Sequence, residues 1–295
     1  MPVTNSKIEW TNSTWNPVTG CTKVSPGCDH CYAETLTERF HGKGSFAEVK
    51  LHPDRLDSPL RWRKPRHVFV NSMSDLFHKD VPDEFIARVW AVMAATPQHQ
   101  YQILTKRHGR MRSLLSDAAF HGEVAGMTSA LAIQGVLPGT GFAGRTVLPN
   151  VWGGVSVEDQ KHAELRIPAL VDTLLAVRFL SCEPLIAPVD LSVVRMRSGT
   201  LPIAPLESHY DQNTGLGDRP ISWVIVGGES GPGARWCDPE WIRRIVDDCQ
   251  RAGVSVFVKQ LGSVWARQNG GDGKGGDPAV WPEDLRVREF QGVSG

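Results

Sequence analysis

Trp223-Val224-Ile225-Val226-Gly227 and Ser255-Val256-Phe257-Val258-Lys259 flank a segment that opens with Asp238-Pro239 and ends at Gly253. Both flanking runs are short and rich in β-branched and aromatic residues, as strands are. Between them Trp241, Ile242, Ile245, Val246 and Cys249 recur every three or four residues, the spacing of one helix face, which makes Cys249 a core residue. Asp238 as N-cap, Pro239 at the first helical position and Gly253 beyond the last turn mark where that helix starts and stops. Strand, helix and strand in this order form a βα unit of a parallel sheet.

The same alternation extends towards the N-terminus. Strands are expected at His67-Val68-Phe69-Val70-Asn71, at 101–105, 151–155 and 177–181, with a seventh around Trp15 to Val18. Pro82 and Asp83 open a helix that places Phe85, Ile86, Val89, Trp90 and Met93 on one face, and another helix should start near Cys28 or Cys31 and run to Phe40. Six or seven strands, with connections long enough to cross over, predict an α/β fold: a partial (β/α)6-type TIM barrel of parallel strands with surface insertions. The rival is an open doubly wound sheet. The insertions are the Gly- and Thr-rich 135–149 and the Pro-, Ser-, Gly- and Asn-rich 195–220. Residues 1–265 then form the barrel with its N-terminal cysteine loop. Residues 266–295 hold a flexible Gly-rich connector, Asn269 to Asp277, and a C-terminal tail docked at a sheet edge through Val287 to Phe290.

The 295 residues balance 32 Lys and Arg against 32 Asp and Glu, so no global charge draws the chain to nucleic acid or an acidic membrane, although a local patch fits within a balanced total. Composition excludes collagen-like, coiled-coil and mainly disordered chains. No run approaches ~18 consecutive apolar residues, and the start of the chain lacks the basic-then-apolar order of a signal peptide. The expectation is a cytoplasmic protein with no membrane partner.

In parallel α/β folds the chemistry lies beyond the carboxyl ends of the strands. Here those positions are polar: Asn71, Ser72, Ser74 and Asp75; Thr105, Lys106, Arg107 and His108; Ser156 and Glu158; Ser181, Cys182 and Glu183; Gly228, Glu229 and Ser230; Lys259 and Gln260. Lys106 and Lys259 are the candidate catalytic cations of this set. The run Gly227-Gly228-Glu229-Ser230-Gly231-Pro232-Gly233 matches neither the Walker A loop nor the Rossmann fingerprint. Its glycines let backbone N–H groups approach the amino-acid or ribose part of a cofactor, or else serve a tight turn.

Six cysteines are too few to staple a chain this long, and three of them cluster as Cys21, Cys28 and Cys31. In a reducing compartment such clusters are metal ligands or catalytic groups more often than disulfides. Three thiolates can hold three irons of a [4Fe–4S] cluster and leave the fourth iron open. Zinc normally takes a fourth protein ligand, here His30, Asp29 or a distant residue such as His41. Reduced thiols without metal are the third reading. A helix starting after the loop adds partial positive charge that favours thiolates.

A three-cysteine loop ahead of a helix, at the start of a βα series, resembles the radical S-adenosylmethionine superfamily. The common spacing there is Cys-x3-Cys-x2-Cys with an aromatic residue before the last cysteine. Here it is Cys-x6-Cys-x2-Cys with His30 in that place, so the closing half matches and the opening half is longer. The phrases Ile8-Glu9-Trp10-Thr11, Thr14-Trp15-Asn16-Pro17-Val18-Thr19-Gly20-Cys21, Gly27-Cys28-Asp29-His30-Cys31-Tyr32-Ala33 and Trp223 to Gly231 are similar to a phage and bacterial family, a divergent branch of that superfamily.

The resemblance implies that Cys21, Cys28 and Cys31 bind a [4Fe–4S] cluster whose open iron is chelated by the methionine part of S-adenosyl-L-methionine. A reductant would supply one electron, and the resulting 5′-deoxyadenosyl radical would abstract hydrogen from a substrate at the barrel mouth. Asn71, Ser72, Ser156, Glu183, Gly228 and Glu229 are the expected cofactor contacts, chosen by strand-end position. The superfamily's glycine-glycine-glutamate element follows its second strand, whereas Gly227-Gly228-Glu229 follows a late one, so the two are not equated. Cys182 and Cys237 are candidate hydrogen donors to a substrate radical, against the plainer reading of buried apolar residues.

Two basic stretches remain, Arg61-Trp62-Arg63-Lys64-Pro65-Arg66-His67 and Lys106-Arg107-His108-Gly109-Arg110-Met111-Arg112. Cations interleaved with an aromatic bind phosphate and stack on bases; the blander reading is a solvated face. The expected substrate is a nucleic acid or nucleotide. Two other classes stay open: a zinc-stabilised nucleic-acid-binding module without radical chemistry, and an interaction protein that keeps the fold alone.

Overall fold

The computed structural model describes residues 8–133, 141, 144–195, 202–207, 209–210, 217–218, 220–271 and 273–291. Its main sheet has seven strands that lie side by side in chain order: β1 (Ser13–Trp15), β2 (His67–Val70), β3 (Gln100–Thr105), β4 (Val151–Ser156), β5 (Val177–Cys182), β6 (Trp223–Gly227) and β7 (Ser255–Gln260). Helices α1 (Tyr32–His41), α2 (Asp83–Ala95), α3 (His108–Leu115), α4 (Ala118–Ile133), α5 (Gln160–Val171), α6 (Pro239–Ala252) and α7 (Ser263–Asn269) alternate with them. This is the α/β class expected, with a parallel sheet of the partial-barrel kind.

The chain packs as two compact units. The first comprises Met1–Thr22, Ala33–Gly154 and Asp172–Val177; the second comprises Lys23–Tyr32, Val155–Val171 and Arg178–Gly295.

In the first unit β2 pairs in parallel with β1, Val70 opposite Trp15, and with β3, Val70 opposite Ile103. Strand β1 ends earlier than the sequence suggests, because Pro17 has no N–H to continue a ladder. Val18–Thr19 instead forms a short antiparallel pair with Lys50–Leu51. Helix α2 was expected to bury one face, yet Phe85, Ile86, Ala87 and every residue from Val89 to Ala95 are buried. The reason is α4, which packs over it and sets Phe120 against Trp90 with ring centroids 6.1 Å apart.

In the second unit β6 pairs in parallel with β5 and β7. The caps of α6 are those read from the sequence: the Asp238 side chain accepts from Glu240 N at 3.0 Å, and Gly253 takes φ 64°. Ile242, Ile245, Val246 and Cys249 are buried. The tail adds an antiparallel bridge between Arg288 and Phe257, and Glu289 O accepts from Trp223 Nε1 at 3.0 Å. The glycine-rich stretch before it is bonded rather than free: Leu261 N donates to Gly275 O at 2.9 Å, Gly262 N to Lys274 O at 3.1 Å and Trp281 Nε1 to Gly275 O at 3.0 Å. Of the two expected insertions, residues 135–140, 142–143, 196–201, 208, 211–216 and 219 lie outside the described residues.

Beyond β6, Gly228 N donates to Gln260 O at 3.0 Å and Gly228 O accepts from Gln260 Nε2 at 2.8 Å. A Cβ on Gly228 would stand 2.5 Å from Leu261 O. Gly228→Ala therefore forces backbone to move, a strain of about 1–3 kcal/mol by analogy with overpacked cores. Urea unfolding should show the midpoint falling with the m-value kept; an unchanged midpoint would contradict the close packing at this turn.

Candidate metal and cofactor site

The first unit fixes the start of the cysteine loop. Gly20 N donates to Met73 O at 3.0 Å and Cys21 N to Phe46 O at 2.8 Å. Beyond β3, Arg107 Nη2 donates to Thr22 O at 3.0 Å and Thr22 Oγ1 at 2.9 Å, and lies 3.9 Å from Cys21 Sγ. Arg107 is itself placed by Asp75, a buried carboxylate beyond β2. Thr105 Oγ1 and Lys106 N donate to Asp75 at 2.8 and 3.1 Å, Arg107 N donates to Thr105 Oγ1 at 2.8 Å, and Arg107 Nε is 3.9 Å from Asp75 Oδ2. His78, wholly buried, meets Thr22 Oγ1 through Nε2 at 2.8 Å. Burial first and Arg107 second hold its pKa below the usual histidine value, so the ring is neutral at pH 7.

Asn71 sits at the end of β2 with φ 60°, a left-handed conformation uncommon outside glycine. It is 4% exposed; its Oδ1 accepts from Val18 N at 3.4 Å, while its buried Nδ2 has no partner. Strain and an unsatisfied donor at one strand end are what a ligand site leaves when described without its ligand. Next to it in the chain, Ser72 Oγ accepts from Asn16 Nδ2 at 3.1 Å.

The second unit fixes the end of the loop. Pro26–Cys28 form a single 3-10 turn, and Cys31 directly precedes α1. Arg235 Nη2 donates to Pro26 O at 2.9 Å, and Nη1 lies 3.4 Å from Asp29 Oδ2. The same guanidinium holds Glu229, with Nη2 to Oε1 at 2.6 Å and Nε to Oε2 at 2.9 Å; Arg235 N and His30 Nδ1 reach Oε2 at 2.8 and 3.0 Å. Burial works to raise the Glu229 pKa, but the bonds from Arg235 and His30 outweigh it and hold the group below the usual carboxylate range. Gly27 is buried where a Cβ would stand 3.1 Å from Glu158 Cδ. Glu158, fully buried, is neutralised by Arg166, whose Nη1 donates at 2.6 Å to Oε2 and at 2.8 Å to Ser156 O.

The other residues expected from the sequence have the following surroundings. Lys259 Nζ bonds both Glu183 oxygens, at 2.7 and 2.9 Å, so two independently chosen candidates form one ion pair. Ser156 is buried, 2% exposed, beside Arg166, and Lys106 is half-buried. Cys182 and Cys237 are both buried, and burial pushes each thiol up to about 12. Sequence reasoning did not single out Arg235, Arg166 or His78. A signal for the first existed: Glu229 at the end of an apolar strand calls for a cation, and Arg235 stands six residues on.

The donor chemistry suits a thiolate-held group. Cys21, Cys28 and Cys31 form no disulfide and are partly exposed. Asp29 and His30, the nearest candidates for a fourth zinc ligand, face Arg235 and Glu229. Among the described residues, no set of three or more His, Cys, Asp or Glu side chains surrounds a single ion position.

The second basic stretch is absorbed internally. Arg110 bonds His78 O, Val81 O and Asp83, and Arg112 lies 3.4 Å from Asp172. In the first, Arg66 stacks over Trp62 at 4.9 Å while Arg63 and Lys64 are exposed. Among the described residues no helix is long and apolar enough to cross a membrane.

Comparison with known proteins places the chain. The family described as "Protein of unknown function (DUF5131)" matches residues 5–286, and the chain belongs to it. No curated protein matches. Among solved structures the chain is similar to "Spore photoproduct lyase complexed with dinucleoside spore photoproduct", at 12% identity over 86% of this chain and 78% of that one, with a TM-score of 0.46. A mutant of the same lyase gives 11% identity over 87% and 78%, with a TM-score of 0.45. These distant likenesses assign no activity.

Two outcomes follow from the geometry. Alkylation of the metal-free protein at neutral pH should label Cys21, Cys28 and Cys31 first and reach Cys182, Cys237 and Cys249 only on unfolding; early labelling of Cys182 in peptide mapping would contradict its burial. The pKa of Glu229 is lower folded than its ordinary 4.5, so its contribution to stability is complete above that value and is lost as pH falls through the folded pKa. Glu229→Gln should flatten the acid limb of a melting-temperature profile, and an acid limb identical to wild type would refute the assignment.

Proposed function

We propose that this member of the family is a radical S-adenosylmethionine enzyme in which Cys21, Cys28 and Cys31 hold a [4Fe–4S] cluster. The observation that carries the reading is the loop itself: three partly exposed cysteines outside any disulfide, with Asp29 and His30 beside them engaged by Arg235 and Glu229 through Oδ2 and Nδ1. A structural zinc ion needs a fourth protein ligand; a cluster with one open iron does not. When bound, cluster and S-adenosyl-L-methionine supply one-electron cleavage of a carbon–sulfur bond and a carbon radical able to abstract hydrogen. A reductant provides the electron, and cysteines outside any disulfide suit a cytoplasmic setting.

The chain's own residues bind and orient. Asn71 offers its unpaired Nδ2 to an acceptor on the cofactor, with Ser72 adjacent in sequence and Ser156 and Gly228 as further contacts. Glu183 and Lys259 neutralise each other, so a ligand ammonium or carboxylate engages them by exchange within the pair. Lys106 and Lys259 orient the substrate. Cys182 and Cys237 keep their S–H at neutral pH because burial raises both pKa values to about 12, and S–H is the form that gives a hydrogen atom to a carbon radical. The substrate class is nucleic acid or nucleotide, supported by exposed Arg63 and Lys64 beside Trp62.

Anaerobic reconstitution should give a brown protein with about four irons per chain, and reduction with S-adenosyl-L-methionine should release 5′-deoxyadenosine. Cys28→Ala should lose both. One zinc per chain without visible absorption would overturn the reading in favour of a zinc module, and a cluster that never cleaves the cofactor would leave an interaction protein. For the substrate, filter binding of single-stranded DNA and RNA should be salt-sensitive, with the slope reduced by about 2 in Arg63→Ala/Lys64→Ala; salt-insensitive or absent binding would remove nucleic acid.

A further inference from the structure

Glu229 was expected to touch the cofactor, but in the structure its side chain is already spent. Both oxygens accept from Arg235, and Oε2 accepts from His30 Nδ1 as well. Among the described residues, every side-chain bond these two make, other than to each other, runs to the stretch 26–30: Pro26 O at 2.9 Å, Asp29 at 3.4 Å and His30 at 3.0 Å. Neither reaches α6 or the sheet through its side chain. A charged pair at the end of a strand that grips one loop and nothing else sets the shape of that loop.

We infer that Glu229 and Arg235 are positioning residues for the cysteine loop: they hold residues 26–31 in one conformation before any metal arrives, and so present Cys28 and Cys31 as a pre-formed pair of ligands. The second half of this statement rests on the reading of the cysteines as cluster ligands given above. The physical basis is pre-organisation. A loop already ordered loses little conformational freedom when its thiolates are engaged, and outer partners that orient metal ligands strengthen metal retention. The guanidinium is suited to the task because its planar fork meets a carboxylate and a carbonyl together, which a lysine ammonium does not reproduce. Glu229 supplies the counter-charge that keeps the fork in place and turns the His30 ring, directly between Asp29 and Cys31, towards the protein.

The test uses the full-length, reduced, metal-free protein and follows amide hydrogen exchange peptide by peptide. The double variant Glu229→Gln/Arg235→Met leaves no lone buried charge, and Arg235→Lys keeps the charge without the fork. Exchange in the peptide covering 26–31 should be about tenfold faster in both variants, as expected for the loss of a charge-assisted bond, with α6 and β5 to β7 protected as in wild type. In the iron-loaded proteins, transfer of iron to a competing chelator should accelerate in parallel. Wild-type protection of 26–31 in either variant overturns the inference, and so does loosening spread equally over β6 and α6. Should the double variant fail to fold, Arg235→Lys alone decides by the same criterion. A wild-type protein that takes up no iron, with a loop that still loosens in the variants, leaves the clamp standing and removes the cluster reading; iron uptake with a loop indifferent to both variants does the reverse.

Discussion

An ionised carboxylate withdrawn from water is stable only where donors replace the water, and Glu229, 4% exposed, obtains four: Arg235 N, Nε and Nη2, and His30 Nδ1. That requirement organises the second unit. It fixes Arg235, and Arg235 holds Pro26 and Asp29 on either side of Cys28. Removing the cation alone would leave a buried charge, at a cost of several kcal/mol.

The first unit uses the same chemistry at Asp75. This carboxylate, 8% exposed, accepts from Thr105 and Lys106 and so sets Arg107, which bonds Thr22 and stands beside Cys21. Each unit thus holds its own share of the cysteine loop through an arginine placed by a strand-end carboxylate.

The strands were legible in the sequence wherever a β-branched run was bounded by polar or glycine residues, and α6 was legible because Asp238, Pro239 and Gly253 carry its caps locally. Less visible was α4: Ala118 to Ile133 is mostly small and apolar without a clear face, so its packing against α2 is settled by tertiary contact and not by periodicity. The end of β1 was misjudged because Val18 reads as one strand with Trp15, whereas the missing N–H of Pro17 between them stops the ladder. Among the site residues, strand-end position found Glu183 and Lys259 without revealing that they pair. Local spacing could not show that His30 meets Glu229, since that contact joins positions 199 apart in the chain; only the principle that buried charge demands a partner points towards Arg235.

The most direct measurement on the central claim is the intact mass of the anaerobically loaded protein under native conditions. A single added species corresponding to four irons and four sulfides, abolished together with its visible absorption when any one of Cys21, Cys28 or Cys31 is replaced by alanine, is the predicted result. An added mass of one zinc ion, retained when one of the three cysteines is replaced, would contradict it.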